Sequence, residues 1–352
     1  MKKKNTIIGL MSGTSLDGLD IACCEFAFCG GKWNYNILSA HTYSYSDEWK
    51  EKLQTLSQQN AFTYAKTHVE YGHLMGQFVK KFMTDYAVNA DYIASHGHTI
   101  FHQPHIGLTA QIGDGAALAA VSGLPVICDF RYMDVALGGQ GAPLVPIGDK
   151  LLFADYQYCL NIGGIANISF DEQGVRMAYD ISPANMALNY FANKMGLLYD
   201  KDGDCSRKGQ LKTDLFNELN ALDFYQSYTA KSLGREWFET VFLPLVLQYH
   251  YTTEDALRTL VEHIAFQIGK VCKQKGNILI TGGGAKNRFL VERMAYHIPH
   301  CRICIPDSLL IDYKEALVFA FLGLLRIQEK TNCLQSVTGA KKDSVGGAVY
   351  CS

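Results

Sequence analysis

Gly9-Leu-Met-Ser-Gly-Thr-Ser-Leu-Asp-Gly-Leu-Asp20 brings an apolar run to an end in small residues, hydroxyls and two carboxylates. Residues 6–11 read as a buried strand and 19–26 as a second, which makes 12–18 the hairpin turn between them. Gly13 and Gly18 allow positive φ and close backbone approach, and Thr14 and Ser15 add hydroxyls. Successive N–H groups in such a turn can form an anion-binding nest. Asp17 and Asp20 would repel a bare phosphate, so beside a nest they suit a hydrated Mg²⁺ lying between carboxylate and phosphate. The turn fits a nucleotide with its metal; it also fits an ordinary hairpin in which Asp17-Gly18 only supplies turn chemistry.

With 352 residues, 48% of them hydrophobic, the chain can bury large cores, and a prior of roughly 150 residues per domain suggests two. The net charge of −2 and the lack of a basic tract speak against nucleic acid as a partner. Met1-Lys-Lys-Lys-Asn5 resembles the start of a signal peptide, but the apolar stretch behind it is too short for one. The longest apolar run, 316–325, falls well short of the ~20 residues of a membrane span. Eleven scattered cysteines suggest reduced thiols, so the expectation is a cytoplasmic protein with no membrane partner.

Two clusters invite a metal reading. Cys301-Arg-Ile-Cys304 has no second pair at zinc-ribbon spacing, and strand packing is the simpler account. His96, His98, His102 and His105 crowd one segment, but no cysteine or carboxylate stands at ligand spacing within it. Gly97 and Pro104 suggest a strand running into a polar loop that lines a cleft.

Helical spacing runs over 46–88, followed by a strand at 92–95, a short hairpin-like piece at 109–115, a helix near 116–122 and a strand at 125–130. The Gly- and Pro-dense stretch 137–146 reads as a hinge or boundary, about which closure over substrate is expected. The opening pattern then returns in Tyr158-Cys-Leu-Asn-Ile-Gly-Gly-Ile-Ala-Asn-Ile-Ser-Phe170, again strand, glycine turn, strand, with Asn161 and Asn167 flanking the turn. A third glycine turn, Gly282-Gly-Gly-Ala285, ends one strand and opens a helix. Three such turns in this order resemble the superfamily of sugar kinases, heat-shock 70 ATPase domains and actin. That resemblance implies an α/β fold of two actin-like (ribonuclease H-like) domains, with mixed sheets flanked by helices and ATP in the interdomain cleft.

The chain resembles, more narrowly, the anhydro-N-acetylmuramic acid kinase family. The likeness is carried by 11–20, Ser95-His-Gly-His-Thr99, Asp129-Phe-Arg131, Gly138-Gly-Gln-Gly-Ala-Pro143, Asn161-Ile-Gly-Gly-Ile-Ala-Asn167, Lys231-Ser-Leu-Gly-Arg-Glu236, 282–285 and Lys314-Glu-Ala316, in family order over nearly the whole chain. It implies an ATP-dependent enzyme of peptidoglycan recycling that opens a 1,6-anhydro amino sugar with water and phosphorylates its O6, yielding N-acetylmuramate 6-phosphate. The expected division is 1–137 as an N-terminal domain with sugar-binding loops and 138–352 as a nucleotide-binding domain carrying the catalytic aspartate, the last residues packing back on the first. A homodimer is expected from the same resemblance.

The resemblance assigns Asp180 as catalytic base, although capping a turn before a helix at Pro183 is the plainer reading of Asp180 by itself. It assigns Gly13, Thr14, Ser15, Leu16, Asp17, Gly18, Leu19, Asp20, Gly163, Gly164, Asn167, Gly282, Gly283 and Gly284 to ATP, with Asp17 and Asp20 on Mg²⁺ through water. It assigns His96, Gly97, His98, Thr99, Arg131 and Glu315 to the sugar. Arg131 suits the lactyl carboxylate of a muramic sugar, or a salt bridge to Asp129 or Asp134. Glu315 also completes a capping box from Asp312 for a helix over 314–328. Lys231 and Arg235 fit structural or nucleotide-side roles alike. Ile181 and Ala184 replace the family's usual threonine and glycine, and His98 its usual glutamine. These departures leave open a same-family kinase for a different anhydro or amino sugar, and a third reading is a non-catalytic, nucleotide-dependent sugar sensor.

Overall fold

The computed structural model describes residues 4–13, 16–226 and 231–351. Its strands are β1 (Asn5–Ser12), β2 (Gly18–Cys29), β3 (Lys32–Ser44), β4 (Tyr92–Gln103), β5 (Leu108–Ile112), β6 (Val126–Cys128), β7 (Tyr158–Ile162), β8 (Ile165–Glu172), β9 (Val175–Pro183), β10 (Gly276–Thr281), β11 (Cys301–Cys304) and β12 (Ala348–Tyr350). They form two sheets, and the chain divides into two compact units, 1–152 with 313–352, and 153–312. The Gly/Pro stretch 137–146 thus lies inside the first unit.

In the first unit the order is β12-β6-β4-β1-β2-β3, with β5 on the far end of β4. In the second it is β11-β10-β7-β8-β9. Each sheet has an antiparallel meander (β1-β2-β3, β7-β8-β9) whose first strand is flanked on its other side by parallel strands (β4 and β6, β10 and β11). The same order and sense occur twice, as the returning strand–turn–strand pattern predicts. This is the α/β architecture of two ribonuclease H-like halves.

β3 has no counterpart in the sequence reading. Gly30 and Gly31, at φ 60° and 81°, make a two-residue hairpin that folds it back on β2, and mixed polar and apolar residues suit its half-exposed position at the sheet edge. The helical stretch is likewise interrupted: helix Asp47–Thr55 ends, and Ala61–Asp85 begins with the Asn60 side chain accepting from Thr63 N–H. The segment expected as a loop after residue 95 continues as β4 to Gln103, because β5 supplies a partner for its backbone. The expected capping box at Asp312 is not formed. Helix Ser308–Ile327 begins earlier, Leu310 N–H donates to Asp307 Oδ1, and Asp312 pairs with Lys286.

Each sheet carries its own apolar cluster. Ile8, Leu10, Tyr71, Val79, Phe82 and Ile93 centre the first, and Leu160, Ile168, Leu257, Ile264, Ile280 and Leu290 the second. A Cβ on Gly9 would lie 1.9 Å from Ala316 O, so helix Ser308–Ile327 rides directly on β1.

Candidate active site

In the first unit the candidate residues collect at the C-terminal ends of β1 and β4. Parallel pairing sets Ser12 beside His98 after an irregularity that places one extra residue on β4. His98 Nδ1 and Ser12 Oγ are 2.8 Å apart, Tyr45 donates its hydroxyl to Ser12 Oγ at 2.8 Å, and Tyr45 and Tyr71 hydroxyls meet at 2.6 Å. All four residues are buried. Burial lowers the His98 pKa to about 4 and raises that of Tyr45 to about 12, so this chain is neutral near pH 7. Nε2 of His98 has no partner among the described residues, which leaves it for a ligand.

His96 is used differently. Its Nδ1–H donates to Gly97 O at 2.9 Å, leaving Nε2 as an acceptor for Arg131 Nε at 3.1 Å and Nη2 at 2.8 Å. Burial first, and the Arg131 charge second, hold the His96 pKa well below the ordinary histidine value. Arg131 Nη1 donates to Gly141 O at 2.6 Å. Among the described residues Arg131 forms no ion pair, neither to Asp129 nor to Asp134. Burial lowers its pKa to about 10, which leaves it cationic near pH 7.

Glu315 is reached by solvent, yet the protein packed around its carboxyl raises its pKa. The Asp20 charge raises it further, while Lys314 and Arg131 oppose the shift. Lys314 itself forms an ion pair with Asp149 at 2.7 Å, both side chains almost fully buried. Thr42 donates to Asp20 Oδ1 at 2.6 Å and lies 3.2 Å from the Tyr313 hydroxyl. Thr99 is half-buried and accepts from Gln111. Gly97 has φ +72°, and a Cβ there would press on Ile112 O at 2.6 Å. His102 meets Thr109 at 3.1 Å, so the clustered histidines have separate partners. Asp17 is exposed in the β1–β2 turn, Gly18 and Leu19 are buried at the start of β2, and Thr14 and Ser15 lie outside the described residues.

In the second unit Asp180 lies on β9, not at a helix cap. Asn167 pairs with Asp180 and Ala166 with Ser182, so Ile181 is the extra residue of a bulge. Asp180 N–H donates to Lys231 O at 3.0 Å, and its Oδ2 accepts from Leu233 N–H at 2.8 Å and from Ser232 Oγ at 3.2 Å. Oδ1 has no partner among the described residues. Burial raises the Asp180 pKa, and the bonds from Leu233 and Ser232 restrain that rise. Lys231 donates to Phe224 O, and Arg235 pairs with Glu239 on the surface.

The glycine turns frame this unit. The carbonyls of Gly163 and Gly164 accept from the N–H groups of Asn185, Ala184 and Met186, docking the β7–β8 turn on the start of helix Asn185–Lys194. A Cβ on Gly163, Gly164 or Gly283 would meet nothing closer than 3.6 Å, so these positions face open space. Gly282, at φ +79°, and Gly284 are packed instead against Asn161 and Ile162. These turns fit a polyphosphate, and Asp20 with Asp17 offers the hard oxygen ligands a magnesium ion takes.

A family model described as anhydro-N-acetylmuramic acid kinase matches residues 5–352. Proteins of that name from Aliivibrio fischeri (34% identical; 97% of this chain and 98% of the relative), Coxiella burnetii (34%; 99% and 98%) and Vibrio vulnificus (32%; 99% and 99%) are similar along their full length. The chain belongs to the anhydro-N-acetylmuramic acid kinase family. It is a kinase. Among solved structures, the activator of the 2-hydroxyisocaproyl-CoA dehydratase from Clostridium difficile has a TM-score of 0.41 at 14% identity (94% of this chain, 97% of that one). A glucokinase of the ROK family from Streptomyces griseus has 0.39 at 11% (90% and 99%).

Leu233, Ser232, Tyr45 and Gly141 are site neighbours that the sequence reading did not single out, and Asp134, named there only as a salt-bridge partner for Arg131, instead holds Gly141 N–H. Ser232, Leu233 and Gly141 lie inside quoted motifs, which was the available signal; Leu233 acts through its backbone, which no side-chain pattern marks.

Proposed function

We propose that this kinase uses ATP to phosphorylate O6 of 1,6-anhydro-N-acetylmuramic acid while water opens the anhydro ring, giving N-acetylmuramate 6-phosphate and ADP. The observation that carries the reading is the state of Asp180: one oxygen is held by Leu233 N–H, and the other has no partner among the described residues. A carboxylate so held can take a proton from water as the water oxygen bonds to the anomeric carbon. The C1–O6 bond breaks, and O6 takes the γ-phosphoryl group as the bond to the ADP oxygen breaks, so the freed oxygen needs no separate acid. Raised by burial, the Asp180 pKa moves towards that of a useful base.

Arg131 meets the lactyl carboxylate, with His98, Thr99 and Glu315 on the sugar's hydroxyl and amide groups. Backbone groups of the three glycine turns hold the phosphates. Asp20 and Asp17 are the carboxylates that would hold magnesium through water; when bound, the ion neutralises phosphate charge. Two departures from the family pattern do not disturb this substrate. Ile181 is 2% and Ala184 0% exposed, both in the apolar cluster, and Ala184 has φ −125°, outside the left-handed region.

The test is incubation of purified protein with ATP, Mg²⁺ and the anhydro sugar, with product mass as readout. The expected gain is one water and one phosphoryl group. Failure to convert the sugar, with turnover of another amino sugar in a panel, would overturn the substrate assignment.

A further inference from the structure

Among the described residues the Arg131 guanidinium is held without a counter-ion. His96 accepts two of its N–H groups through a nitrogen that carries no proton, and Gly141 accepts a third through its carbonyl. Both acceptors are neutral, so the positive charge stays available in a partly desolvated setting, where a charge-assisted contact is strong.

The Gly141 carbonyl does not stand by itself. Gly141 N–H donates to Asp134 Oδ2 at 2.7 Å, and Asp134 is 1% exposed. Its other oxygen accepts from Thr338 Oγ1 at 2.7 Å and Cys333 Sγ at 3.1 Å. Gly139 N–H donates to Asp134 O, and Gln140 N–H to Thr338 O, so the loop is pinned at the two residues leading into Gly141. A Cβ on Gly139 would lie 2.2 Å from Asp134 Oδ2, a fit that leaves the carboxylate one seat.

We infer that Asp134, tied by Thr338 and Cys333, is a positioning residue: it fixes the Gly141 carbonyl that aims Arg131, and so sets the preference for a sugar bearing a carboxylate. The inference rests on the reading of Arg131 given under Proposed function. Asp134 touches no ligand itself. Asn at this position would place an amide NH₂ against either Gly141 N–H or the Thr338 and Cys333 donors, a donor-to-donor conflict on one side whichever way it turns.

The experiment compares kcat/KM for 1,6-anhydro-N-acetylmuramic acid with that for its lactyl methyl ester, an uncharged near-isostere, in wild type, Asp134→Asn and Thr338→Val. Wild type is expected to prefer the acid by roughly tenfold or more. Asp134→Asn should bring the ratio to within about threefold of unity with the KM for ATP unchanged, and Thr338→Val should move it the same way by less. General loss of stability lowers both substrates together and leaves the ratio alone, and thermal melting separates the two effects. If Asp134→Asn fails to fold, Thr338→Val, which keeps the carboxylate, decides. Folded variants that retain the wild-type ratio overturn the inference. A wild type that converts both substrates equally overturns it while leaving the kinase reading intact, whereas no conversion of either overturns the reading beneath it.

Discussion

Leu233 N–H donates to Asp180 Oδ2 across 53 residues of sequence, while Asp180 N–H donates to Lys231 O. The segment after 230 therefore lies along the free edge of β9 and holds Asp180 at two points, its backbone N–H and its carboxylate. This orients Asp180 and leaves Oδ1 without a partner among the described residues.

Asp180→Asn is expected to abolish turnover, by at least about 10²-fold, with nucleotide binding kept, because the amide can still accept from Leu233 N–H but cannot take a proton. Its melting temperature should equal or exceed that of wild type, since burial opposes the charge the variant removes. The sign with pH follows: the base must be ionised, its pKa is raised above the ordinary 3.8, so kcat/KM falls with acid sooner than a solvated aspartate would require. Turnover near wild type in the variant removes Asp180 from the role of base.

Glu262 gives a stability test far from the chemistry. Burial alone would raise its pKa, but bonds from Arg293, Arg258 and His297 more than offset this and hold it at about 2. A depressed carboxylate adds stability that is complete above its unfolded value near 4.5 and is lost as pH falls towards about 2. Glu262→Gln should cost about 3 kcal/mol near pH 7, leaving two arginines without their counter-charge. Denaturant unfolding at pH 7 and pH 3 checks this, and a penalty that does not shrink at the lower pH would contradict the account.

Gly9→Ala puts a methyl where the main chain of helix Ser308–Ile327 already lies, 1.9 Å from Ala316 O. Overpacking against backbone should cost about 1–3 kcal/mol. Because Glu315 precedes Ala316, sugar KM should rise as well, while KM for ATP moves less. A variant as stable as wild type would show that the helix can lift from β1 without penalty.

The sequence alone determined the strand–glycine turn–strand pattern and its return, the third glycine turn and the family, because each rests on a local string of residue types. Hydrophobic alternation and turn chemistry act over a few residues and can be read in order. Only the tertiary structure decided that Arg131 takes neutral partners, that β3 adds an edge strand, that Asp307 and not Asp312 caps the last long helix, and that Leu233 orients Asp180. Those pairings join groups that sequence spacing does not relate, and several are made by backbone N–H or C=O, which every residue type carries alike.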